Sequence, residues 1–150
     1  MKYPNTFKLN LLKHFGNTFE YKAERDADLL RAFREALMTS KSNRIVDIWE
    51  RVANSPSARF WVSAERAAIV VSRMLKGDTL HYMRPLRRQM FEEILKRVKE
   101  IMAKEKGLSV YNCCIRVVAM PAPKFYITPP SVTQIVYKIR RQWRKEKKRQ

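Results

Sequence analysis

The apolar positions of this chain fall into short stripes with helical spacing, separated by polar breaks. From Glu24 onward, Leu29, Leu30, Phe33, Ala36 and Leu37 recur at three- and four-residue steps, which gathers them on one side of an α-helix. Thr39, Ser40, Ser42 and Asn43 interrupt the pattern, and Asn43 is placed to cap a second helix whose apolar face is Ile45, Ile48, Trp49 and Val52. Asn54, Ser55, Pro56 and Ser57 stop that helix, since proline lacks an amide hydrogen and restricts the residue before it. RFWV, residues 59–62, is aromatic and β-branched and reads as an extended segment. Ser63 then caps a third helix with the stripe Ala67, Val70, Val71 and Met74, which ends near Gly77. Residues 1–20 mix Tyr3, Phe7, Leu9, Leu11, Leu12, Phe15 and Phe19 with Asn5, Asn10, Gly16 and Asn17, and are expected as a mostly irregular lead-in.

Shifted by 65 positions, the same description fits again. SPSARFWVSAERAAIVVSRM, residues 55–74, aligns with MPAPKFYITPPSVTQIVYKI, residues 120–139. Pro56, Phe60 and Val71 meet Pro121, Phe125 and Val136, while Arg59 meets Lys124 and Trp61 meets Tyr126. Leu95, Val98, Ile101 and Met102 stand where Leu30, Phe33, Ala36 and Leu37 stood. VYNCCIRVV, residues 110–118, would read as a strand by itself, and its alignment with IVDIWERVA assigns it to a helix. Thr128 is the second cap, with Pro129 and Pro130 where a missing amide hydrogen costs a helix least. The pattern predicts a mainly α protein. Its expected architecture is a tandem duplication of a three-helix, helix-turn-helix-like unit with a short extended segment before each third helix. The units span 21–77 and 87–150, joined by a linker at 78–86, and are expected to share one core because each is small.

Charge changes the picture. The 150 residues carry 32 Lys and Arg against 14 Asp and Glu, a formal net charge of +18, with a normal 45% hydrophobic content. Residues 1–76 hold 14 basic and 8 acidic side chains, hence +6, and residues 77–150 hold 18 and 6, hence +12. A compact domain so charged repels itself and favours a polyanion as partner, nucleic acid before a membrane surface. No apolar run reaches the length of a signal-peptide core or a membrane span, so a cytoplasmic location is expected, in a bacterial host or associated with its nucleoid. The adjacent Cys113 and Cys114 cannot form an unstrained disulfide and read as small buried apolar residues.

Catalytic chemistry finds little support in the residues. His14 and His81 are the only histidines, and with two adjacent cysteines they offer neither zinc-ligand spacing nor a nucleophile with its base. Gly16, Gly77 and Gly107 do not make a phosphate-cradling loop. Carboxylate pairs stand at Asp26 with Asp28, Asp47 with Glu50 and Glu92 with Glu93; Asp47 and Glu50 share a helix face, as a metal-dependent nuclease could use, but read as a solvated face beside basic neighbours. No enzyme activity, cofactor or metal is expected.

Two basic segments carry the binding expectation. Arg84, Arg87, Arg88, Lys96, Arg97 and Lys99 line the helix of residues 85–105. The run KIRRQWRKEKKRQ, residues 138–150, sets Lys138, Arg140, Arg141, Arg144, Lys145, Lys147, Lys148 and Arg149 against Glu146 alone, with Trp143 among them. Such a run suits extended phosphate contact, and its tryptophan can stack on a base or anchor the helix to its own protein. Gln134 joins Lys138 and Arg141 on the solvent face of the last helix, as a group suited to an adenine edge. RFWVS is longer than the usual helix-turn-helix turn, which counts against major-groove docking. RFWVS and KFYIT resemble a phrase of small basic proteins of bacterial mobile elements and phages, and that resemblance implies a nucleic-acid role without assigning any residue. The expected function is non-enzymatic DNA binding through phosphates. The alternatives are an RNA-binding or ribonucleoprotein accessory protein, and a structural or adaptor protein of a virion or transposition complex.

Overall fold

A computed structural model describes the backbone of residues 2–149 and the side chains of residues 21–149. The chain is mainly helical, in the order α1 (Lys2–Thr39), α2 (Ile45–Ala53), α3 (Ala64–Leu75), α4 (Pro85–Lys104), α5 (Val110–Val118) and α6 (Pro129–Arg149). VYNCCIRVV is helix α5, as the alignment with α2 required. The expected irregular lead-in is a correction: residues 2–20 are the first half of α1. Tyr3, Phe7, Leu11, Phe15 and Phe19 recur every fourth position, a helical period that outweighs the turn-forming asparagines between them.

Local chemistry explains most of the helix ends. The Ser63 hydroxyl accepts the Arg66 amide at 3.0 Å, the Ser109 hydroxyl accepts that of Asn112 at 3.1 Å, and Thr128 accepts that of Ser131 at 3.3 Å. Each satisfies an amide that has no partner inside the first turn. The expected cap Asn43 is displaced by one residue. Arg44 occupies the cap position without a side-chain bond, and Ser42 organises the turn by accepting the Arg44 amide at 3.2 Å and donating to Asp47 at 2.6 Å. Gly77 follows the cap of α3 with φ of 109°, a left-handed conformation that glycine adopts without steric cost.

The element boundaries recur at a constant offset. α1 ends at Thr39 and α4 at Lys104; α2 spans 45–53 and α5 spans 110–118; α3 begins at Ala64 and α6 at Pro129. In place of a strand, each of residues 54–63 and 119–128 forms a bent crossing segment. The two segments meet in one isolated antiparallel bridge, Ser57 with Ala122, whose amides each donate to the other's carbonyl at 3.0 Å.

Side-chain burial forms two clusters, because α3 packs on α4 and α5 while α6 packs on α1 and α2. One cluster joins Ala67, Val70 and Val71 of α3 to Phe91, Ile94 and Val98 of α4 and to Cys113, Cys114 and Val117 of α5. The other joins Val132 and Val136 of α6 to Leu29, Phe33 and Ala36 of α1 and to Ile48, Trp49 and Val52 of α2. Helices in contact are accordingly α3, α4 and α5 in one set and α1, α2 and α6 in the other. Burying one Phe, Leu or Val side chain contributes roughly 1.5–3 kcal/mol, so each cluster binds its three helices together.

Candidate nucleic-acid interface

Helix α6 owes its basic surface to where its core face lies. Val132 and Val136 are buried and Ile135 and Ile139 pack on the same cluster, which fixes one side of the helix inward. At 100° per residue, Gln134, Lys138, Arg141, Lys145 and Lys148 then form a stripe on the opposite side, and each is exposed. A rise of 1.5 Å per residue makes that stripe about 21 Å long. Arg140, Arg144 and Lys147 flank it, also exposed. Among the described residues, none of the α6 cations pairs with a carboxylate within salt-bridge distance. Lys147, Lys148 and Arg149 occupy the last turn, where cations offset the negative end of the helix dipole.

The cations of α4 are engaged differently. Arg97 donates to Glu93 at 3.1 Å and to the Pro121 carbonyl at 2.9 Å, and its guanidinium lies 5.0 Å from the Phe60 ring centre. It holds a crossing segment in place. Arg88 faces Glu92 at 3.8 Å, and Arg87 lies 5.5 Å from the Phe91 ring centre. Arg84 is the cap residue of α4, while Lys96 and Lys99 are exposed. Three acidic residues, Glu92, Glu93 and Glu100, share this helix, whereas α6 has Glu146 alone. The two expected basic surfaces are not brought together, since α4 and α6 belong to different helix sets.

Sequence reasoning missed the cations that α1 contributes beside α6. Arg34 lies 5.4 Å from the Trp143 ring centre, and Arg140 lies 5.5 Å from that of Phe33. The Lys138 ammonium is held below its usual range, first by a contact with the Lys22 side chain and then by the Lys22 charge. Across the molecule, burial and the Arg66 charge together lower the Arg87 guanidinium. The α1 and α6 partners lie more than 100 residues apart in the chain and leave no local signal, so only the α1–α6 packing exposes them.

No family model, curated protein or solved structure matches the chain. The functional reading therefore rests on the chain's own surface chemistry. Among the described residues, no three His, Cys, Asp or Glu side chains are grouped as a metal would need, and no helix is long and apolar enough to cross a membrane. Cys113 and Cys114 are both buried free thiols. The carboxylate of Asp28 is buried and accepts the Ala58 amide at 2.8 Å, the Trp61 indole N–H at 3.3 Å and Arg31 Nε at 2.9 Å.

Proposed function

We propose that the chain is a non-enzymatic, cytoplasmic nucleic-acid-binding protein of phage or mobile-element type that binds DNA chiefly through phosphates. The observation that carries this reading is the α6 stripe of Lys138, Arg141, Lys145 and Lys148, exposed, unpaired among the described residues and opposite the core face. Cations that make no internal ion pair add self-repulsion to the folded state, which a polyanion relieves. Double-stranded DNA presents one charge per about 1.7 Å of axis, so a helix of this length can meet several phosphates at once.

The architecture we propose is a tandem duplication of one three-helix unit with third helices exchanged. The constant offset of the helix boundaries, the Ser57–Ala122 bridge and the crossed packing of α3 and α6 support it. The two copies then have different work. α3 spans 12 residues and carries Glu65 against Arg66 and Arg73, whereas α6 spans 21 and carries eight cations against one carboxylate. The second unit supplies most of the binding cations, with Arg34 and Lys22 of the first beside them.

Labelled duplex titrated at several salt concentrations tests the function. Affinity should fall steeply as salt rises. Ending the chain after Arg140 removes Arg141, Arg144, Lys145, Lys147, Lys148 and Arg149, and should flatten the log–log salt slope by up to ~5, at about 0.9 per lost phosphate contact. Helical content should stay proportionate, since residues 141–149 are all exposed. Salt-independent affinity, or an unchanged slope after truncation, refutes the reading. Preference for structured RNA over duplex in competition transfers the same surface to RNA. A purified protein free of absorbing nucleic acid at low salt, with no affinity for either, points to an adaptor that holds acidic protein.

A further inference from the structure

Trp143 sits at the edge of what the fold can cover. It continues the inward side of α6 one turn beyond Ile139, yet it remains 44% exposed, whereas Trp49 on the same cluster is 7% exposed. Trp49 is closed in by Phe33 at 5.1 Å and by Tyr137 at 5.8 Å between ring centres. Trp143 has instead a guanidinium, Arg34 of α1, 5.4 Å from its ring centre. The rest of its surface opens into a recess of about 460 Å³ shared with Arg140, Arg144, Glu146 and Lys147. All five residues lie on α6, so the recess is an open groove along one helix that leaves the ring face accessible.

We infer that Trp143 is a stacking platform for an unpaired nucleobase, with Arg34, Arg140, Arg144 and Lys147 placed to meet the phosphates on either side of it. This rests on the nucleic-acid reading and narrows it: the preferred ligand has a single-stranded segment. A tryptophan serving only as an anchor would be closed over, as Trp49 is. An apolar ring left open among cations instead matches a ligand that is flat and apolar on its face and anionic along its edge. A base in a duplex cannot offer that face, because both of its sides are already stacked on neighbouring bases. The phosphate stripe of Lys138, Arg141, Lys145 and Lys148 lies on the other side of α6 and serves either form of nucleic acid.

The test uses the full chain, W143A and W143F, each titrated with a labelled oligothymidylate and with a blunt duplex of equal length at one salt concentration. W143A should lose about 5- to 100-fold in affinity for the single strand, from the stacking of one base. W143F should keep most of that affinity, and the duplex should bind all three proteins alike. Oligothymidylate should also quench tryptophan emission in the full chain and much less in W143F, where Trp49 and Trp61 remain. Equal losses for both ligands in W143A, or no loss for the single strand, overturn the stacking site while leaving phosphate binding standing. If neither ligand binds the full chain, the proposed function fails together with the stacking site. Should W143A lose helical signal, W143F decides, because a benzyl ring supports the fold and still stacks.

Discussion

Phe60 and Phe125, 65 positions apart, exchange partners across the molecule: the Phe60 amide donates to the Val118 carbonyl at 3.1 Å, and the Phe125 amide donates to the Ala53 carbonyl at 3.4 Å. Val118 and Ala53 are the last residues of α5 and α2, whose terminal carbonyls lack helical partners. Residues 54–63 therefore cap α5 and residues 119–128 cap α2, and each ring enters the cluster that its capped helix belongs to.

Such reciprocity predicts that neither half stands alone. Separate chains 1–77 and 78–150 should each lack a cooperative unfolding transition as monomers, since each cluster would be missing its third helix. Mixed in equal amounts, they should regain helical circular dichroism and a single transition. Cooperative unfolding of either piece by itself, independent of concentration, contradicts the exchange.

Most helices were legible because they are amphipathic and end at local stops, whereas the first half of α1 was missed and α5 was found only through its alignment with α2. Ser63, Thr128, Pro56 and Gly77 are local signals, and their helix ends fall where expected. The crossing of α3 and α6 was not legible. A buried stripe such as Val70, Val71 and Met74 packs equally well on either half, and only the length and path of the intervening loop decides. Basic residues posed the same difficulty. Arg97 and Lys96 are neighbours of identical charge, and the distinction between a structural cation and a free one depends on Glu93, Pro121 and Phe60 nearby in space.

That distinction is measurable at those two neighbours. Replacing Arg97 with Ala removes an ion pair, a bond to the Pro121 carbonyl and a stacked contact, and should cost about 1–3 kcal/mol in chemical denaturation. Replacing the exposed Lys96 with Ala should leave stability within about 0.5 kcal/mol. Any effect of K96A should appear in nucleic-acid affinity, with the salt slope reduced by at most ~0.9. The reverse pattern would mean that Arg97, not Lys96, faces the ligand.

Asp28 marks a place where the two halves diverge for a covalent reason. Its carboxylate takes the Ala58 amide, but 65 positions on from Ala58 stands Pro123, which has no amide hydrogen to give. Glu93, 65 positions after Asp28, pairs with Arg97 as Asp28 pairs with Arg31, so the two differ in the backbone amide and not in the ion pair. Asp28 is itself 8% exposed, and its loss leaves the part-buried Ala58 amide and Trp61 indole without this acceptor. D28A should destabilise the protein by about 2–4 kcal/mol, and D28N by less, since one carbonyl oxygen remains to accept. Urea midpoints of the three proteins check this, and a cost for D28A under 1 kcal/mol would show that water replaces the carboxylate.

Alkaline pH should act through Cys114. Its thiol is fully buried between α5 and its neighbours, and burial, assisted by the adjacent Cys113, pushes it up to about 11 from an ordinary 9.0. A raised value means that the unfolded chain releases this proton first. The stabilisation is whole below pH 9, falls as pH rises and is gone by about pH 11, amounting to about 2–3 kcal/mol at most. Tyr126, raised mainly by burial, adds a loss of the same sign. Comparison with C114A isolates the cysteine, because that tyrosine is common to both. C114A should start less stable at pH 8, from the small cavity it leaves, yet lose less on going to pH 10.5. Native Cys114 should likewise resist a thiol reagent at pH 8 and react once the chain is unfolded. Parallel decline of the two proteins with pH would assign the alkaline loss to other groups.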